Sequence, residues 1–65
     1  MKLLVNHGFP NEKIFINVSD IHIVEADENM PLHKLYFYTK EDNTYHLEIC
    51  HNYYVVKYGK NIVFI

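Results

Sequence analysis

The chain predicts an all-β fold, a small antiparallel meander or barrel of five to six short strands with no long helix. Three observations carry this. β-Branched and aromatic residues alternate with polar ones at period two, and turn-forming residues interrupt the alternation about every 8 to 12 positions. No segment sustains a 3.6-residue period, so no helix longer than about two turns is expected.

The elements follow in order. A first strand over residues 3–6 runs into His7-Gly8-Phe9-Pro10-Asn11, where Gly8 permits a positive φ and Pro10 fixes its own, so a turn is expected there. Ile14, Ile16 and Val18 then share one face, but the apolar phase shifts to odd positions at Ile21 and Ile23. A phase change inside one regular strand would turn the wrong face to water. Ser19-Asp20 is therefore read as a bulge or tight turn, dividing two short strands or bending one sharply. Residues 25–31 are polar, acidic and end in Pro31, which predicts an exposed loop.

In the strand over residues 34–39, Leu35 and Phe37 oppose Tyr36 and Tyr38; over 44–50, Tyr45, Leu47 and Ile49 oppose His46 and Glu48. A three-residue loop of Glu41, Asp42 and Asn43, with Asn43 left-handed, would pair Thr39 with Tyr45, Phe37 with Leu47 and Leu35 with Ile49. That register places both apolar sets on one face. Farther on, Gly59 in Tyr58-Gly59-Lys60-Asn61 suits a type II′ hairpin pairing Val56 with Val63 and Val55 with Phe64. Such a hairpin is apolar on both faces. It predicts closure of a small barrel or pairing of Ile62, Val63, Phe64 and Ile65 with another chain, since a bare apolar edge invites association.

Composition narrows the function. Sixty-five residues make a single small domain, 1–65, which buries only about 60% of its unfolded surface and is marginally stable. The lone Cys50 leaves no partner for an internal disulfide and fits a reducing compartment. Apolar runs are far shorter than the roughly 20 residues of a membrane span, and Met1-Lys2-Leu3-Leu4-Val5 stops at Asn6 before a signal-peptide core develops. A cytoplasmic protein is expected. A hydrophobic content of 49% and an aromatic content of 15% exclude a chain too polar to collapse.

Site chemistry is sparse. His46, Cys50 and His51 are the nearest ligand set, yet residues 46 and 50 of a strand stand roughly 13 Å apart, too far for one tetrahedral ion. Neighbours Cys50 and His51 point to opposite faces, so His51 is not placed to take the thiol proton. Gly8 and Gly59 are both assigned to turns, leaving no glycine-rich phosphate loop. No catalytic residue, metal ligand or cofactor is assigned, and no enzyme is expected.

Charge argues against nucleic acid. Two lysines face five carboxylates in residues 1–33, four face three in residues 34–65, and arginine is absent. DNA readers normally carry a basic stripe in which arginine is prominent. The six tyrosines are more informative, because tyrosine joins apolar area to a hydroxyl at small entropic cost and is enriched at protein interfaces.

Val18-Ser19-Asp20-Ile21-His22-Ile23-Val24-Glu25-Ala26, then Lys34-Leu35-Tyr36-Phe37-Tyr38-Thr39-Lys40-Glu41-Asp42 and Tyr45, carry a partial likeness spanning about residues 14–47. This stretch resembles the opening strands of LytTR-type DNA-binding domains of bacterial response regulators. Those have a similar Asp-Ile-x-x-Ile-Glu-Ala phrase and a strand ending Thr-Lys-Asp. The family's later helix and Arg-rich stretch have no counterpart. The resemblance implies a similar strand order and an alternative function, a reduced transcription regulator that binds DNA through lysines.

The leading expectation is a non-enzymatic protein that docks to another protein, as a regulator or phage-type inhibitor, with homodimerisation relieving its small size. Tyr36, Tyr38, His46 and Glu48 are the expected contact face, with Tyr53 and Tyr54 beside them. Ile62, Val63, Phe64 and Ile65 are the expected pairing edge.

Overall fold

The structure is a computed structural model that describes residues 1–57. The predicted hairpin turn at residues 58–61 and the pairing edge Ile62, Val63, Phe64 and Ile65 lie outside the described residues. The described residues form six strands: β1 (Lys2–Val5), β2 (Lys13–Phe15), β3 (Val18–Val24), β4 (His33–Thr39), β5 (Thr44–Cys50) and β6 (Tyr53–Val56). They make two antiparallel three-stranded sheets, ordered β2-β1-β6 and β3-β4-β5. The all-β class is as the periodicity predicts, and there is no helix among the described residues.

β1 ends where Asn6 turns left-handed at φ 56°. Its buried side chain accepts from the His51 N–H at 2.8 Å, while its own N–H donates to the Asn52 carbonyl at 3.0 Å. Asn6 thus fixes the first turn against the passage from β5 to β6. Gly8 lies at φ 89°, as the turn requires.

Ile14, Ile16 and Val18 do not share one face, since Val18 is buried and the two isoleucines are exposed, and the irregularity of this stretch has two sources. Asn17, at φ 53°, ends the excursion of β2 and hands the chain to the second sheet. The bulge expected at Ser19-Asp20 is present: the register slips between Ser19 and His22, and Asp20 sits at φ 52°. Ile14 and Ile16 are exposed, and Phe15 is the residue that turns inward onto Phe37, 4.9 Å between ring centres.

The core lies between the sheets. Leu3, Val5 and Val55 come from one, Val18, Leu35, Phe37 and Cys50 from the other, with Met1, Phe15, Ile21 and Tyr53 at its margins. Val55 and Val56 are both buried.

The register of the β4–β5 hairpin corrects the sequence expectation. Thr39 pairs with Thr44, Phe37 with His46, Tyr36 with Leu47 and Leu35 with Glu48, so the loop has four residues, 40–43, and not three. Asn43 is left-handed as expected, φ 56°. A strand has period two, so one added loop residue moves every β5 side chain to the other face. Thr39 does not pair with Tyr45, and Leu47 and Ile49 do not meet Phe37 and Leu35 across the ladder.

Asp42 organises this loop. Its carboxylate accepts from Thr39 Oγ1 and lies 2.9 Å from His46 Nε2. Both partners face inward, and the His46 ring stacks on Phe37 at 5.3 Å and 10°. His46, Glu48 and Cys50 therefore take the inner side, leaving Tyr45, Leu47 and Ile49 outside.

Candidate interaction surface

The outer face of the β3-β4-β5 sheet is built from three cross-strand rows. His22, Tyr36 and Leu47 form one, Val24, Lys34 and Ile49 the next, and Ser19, Tyr38 and Tyr45 the third. The exposures decide its character: Tyr45 72%, Leu47 53%, Ile49 51%, Val24 50% and Tyr36 42%. Their accessible area is on the order of 500 Å², comparable to the largest apolar patch of a typical monomer, on a chain of only 65 residues. Tyr38 and Tyr45 meet edge to face at 5.1 Å, and the Tyr38 hydroxyl donates to Asn43 Oδ1. Lys34 is the only lysine in the three rows, and none of the nine residues is a carboxylate.

The residues singled out from sequence do not form one face. Tyr36 and Tyr38 lie on the outer face, as expected. His46 and Glu48 lie on the opposite side of the same sheet, because of the register. His46 is wedged against Phe37 and Phe15, and Glu48 receives Lys13 Nζ at 3.2 Å. Tyr53 shares the inner side of its sheet with Val55, packs edge-on against His33 at 5.2 Å and donates its hydroxyl to Glu25. That hydrogen bond, helped by partial burial, pushes the phenol up to about 12. Tyr54 stands opposite Leu4 on the outer face of the other sheet, edge-on to His7 at 5.7 Å. The sequence reading missed Tyr45, Leu47, Ile49 and Val24 as surface residues; the even loop would have exposed the first three.

On the inner side of the hairpin, a recess of about 300 Å³ opens between β2 and the loop, with Ile14, Ile16, Glu41, Asp42 and His46 in its wall. Hydrogen bonds from the Thr39 and Thr44 side chains, then the neighbouring His46, hold Asp42 at about 2. Thr39 Oγ1 and Asp42 both address the same ring nitrogen, His46 Nε2, at 3.1 and 2.9 Å. A relay from hydroxyl through imidazole to carboxylate uses both ring nitrogens. Thr39 is buried and donates its single hydroxyl proton to Asp42, so this cluster anchors the loop.

The histidines are dispersed. His7 pairs with Glu12, His33 with Glu25 and His46 with Asp42, while His51 stacks on Phe9 at 5.1 Å. Among the described residues, no three His, Cys, Asp or Glu side chains converge as a metal site. Cys50 is buried, and burial, reinforced by Glu48 and Glu25, raises its thiol above the ordinary range, which disfavours the reactive thiolate. No helix among the described residues is long and apolar enough to cross a membrane.

Comparison with known protein families, with characterised proteins and with solved structures found no match to this chain.

Proposed function

We propose that this chain is a non-enzymatic binding protein that docks the outer face of its β3-β4-β5 sheet onto another protein, as a small cytoplasmic regulator or inhibitor. The observation that carries this reading is the apolar face of Val24, Tyr36, Tyr45, Leu47 and Ile49, exposed on a regular three-stranded sheet. A scaffold of regular strands holds such a face without the ordering cost of a loop. One lysine and no carboxylate in the rows favour an apolar partner surface that brings an acidic group to Lys34. A phosphate backbone would need many more cations.

Affinity capture with the wild-type chain and with Tyr36→Ala/Tyr45→Ala tests it. Both tyrosines are exposed, so the double variant should fold, as circular dichroism would check. The expected result is a retained protein that the double variant loses by at least tenfold. Equal retention by both chains would overturn the assignment of this face.

A further inference from the structure

The two sheets have four edges, and three are protected. β2 and β6 are short, Lys13–Phe15 and Tyr53–Val56. β3 is longer, but its ladder is broken by the bulge between Ser19 and His22. Short strands, bulges, prolines and lysines are the devices by which proteins keep an edge from pairing with another chain. β5 has none of these four, and its one inward-turned carboxylate, Glu48, is already paired with Lys13. β5 runs seven residues, Thr44–Cys50, in unbroken register with β4, contains no Pro, Gly or Lys, and among the described residues has no strand on its other side. Six of its seven residues are at least partly exposed.

We propose that a second copy of this chain pairs antiparallel along β5, about a twofold axis through Leu47, to make one continuous six-stranded sheet. Residues directly opposite in an antiparallel ladder share the same hydrogen-bonding direction, so a twofold axis must pass through a residue and not between two. With the axis on Leu47, all seven residues overlap. Leu47 meets the partner's Leu47, Tyr45 meets the partner's Ile49, and His46 faces the partner's Glu48 on both sides of the axis.

The neighbouring choices are worse on both counts. An axis on His46 or on Glu48 shortens the overlap to five residues and sets like against like, imidazole on imidazole or carboxylate on carboxylate. The strand is thus self-complementary in one register: apolar residues at 45, 47 and 49 for the outer face, and an imidazole at 46 set against a carboxylate, a hydrogen-bond acceptor, at 48 for the inner. Glu48 already holds Lys13 and His46 already touches Asp42, so both side chains stand fixed at the edge before a partner arrives. Pairing relieves the shortage of buried surface in a chain this small. It also leaves the outer face uncovered and joins two copies of it side by side, so the inference extends the docking reading without competing with it. An edge contact of this kind buries about 1,000 Å² in total, the lower bound of a specific interface, and the proposed dimer is a reversible one with a Kd of about 1 to 100 μM.

Leu47→Cys tests the axis. Opposed Cα atoms stand about 4.5 to 5.5 Å apart, within the span of a disulfide. Under mild oxidation this variant should convert to a covalent dimer. Tyr36→Cys, one strand farther from the axis, would have its copies about 14 Å apart and should stay uncrosslinked. The wild-type chain, whose only thiol is the buried Cys50, supplies the background. Sedimentation of the wild type at increasing concentration should show a reversible dimer that Leu47→Lys loses. A wild type that sediments as a monomer at about 1 mM, far above the association range this interface implies, would overturn the proposal. So would a Leu47→Cys chain that does not crosslink, or a Tyr36→Cys chain that crosslinks as readily, since that would mean stacking through the outer faces. All these measurements use the purified chain alone, so their failure is distinct from failure to capture another protein.

Discussion

At the scale of single residues, two groups have stated acid–base consequences. Hydrogen bonds from the Thr39 and Thr44 side chains, with His46 alongside, hold Asp42 at about 2 against an ordinary 3.8. A folded value below the unfolded one means that the contribution is complete above about pH 4 and is lost as the pH falls through 2. Melting temperature measured from pH 5 to 2 should therefore fall more steeply for the wild type than for Asp42→Asn; parallel curves would show that the carboxylate contributes nothing to the loop. Tyr53 has the opposite sign, its phenol raised from 10 to about 12 chiefly by the hydrogen bond to Glu25. Its stabilisation is full below pH 10 and fades as the pH rises through about 12. Ultraviolet titration should show one phenol ionising late, and Tyr53→Phe should remove that late component while leaving the others in place.

At the scale of elements, the β5 register makes the sharpest prediction. Phe37 is fully buried, and Phe37→Ala should cost about 3 to 5 kcal/mol, enough to unfold a domain of this size. At concentrations low enough to keep the chain a single copy, Leu47→Ala should cost less than about 0.5 kcal/mol, because Leu47 is on the outer face. With Leu47 opposite Phe37 in the core, the same change would cost about 2 to 5 kcal/mol, so denaturant melts of this one variant discriminate the two registers. Much of the element structure was legible in the chain: the alternation of β4, the bulge at Ser19-Asp20, the exposed loop after Val24 and the left-handed Asn43. The face of β5 was not. Its large apolar residues, Tyr45, Leu47 and Ile49, sit at odd positions, and an apolar alternation argues for burial unless something outweighs it. What outweighs it is tertiary: Asp42 gathers Thr39 and His46, and the His46 ring covers Phe37. No local pattern announces that a histidine will outcompete Leu47 for the inside. The same cause split the candidate site, keeping Tyr36 and Tyr38 on the outer face and removing His46 and Glu48 from it.

At the scale of the whole molecule, small size and surface arrangement become one problem. Among the described residues, a seven-residue buried cluster is the enclosed core that the two sheets share, while five large apolar side chains are exposed on one face. A chain that spends its apolar residues this way has little stability to spare as a single copy. If two copies join along β5, folding and association are linked, and stability must depend on concentration. For a folded dimer in equilibrium with unfolded chains, a tenfold rise in concentration adds about 0.7 kcal/mol per copy, roughly 3 to 5 °C in a chain of this length. The wild-type melting temperature should climb by that amount per decade once the concentration exceeds the dissociation constant. Leu47→Lys sets two ammonium groups across the twofold axis and should melt at one temperature throughout. At the lowest concentrations the two chains should converge, since Leu47 then faces only water; a gap that persists on dilution would place the effect of Leu47 within a single copy and not between two.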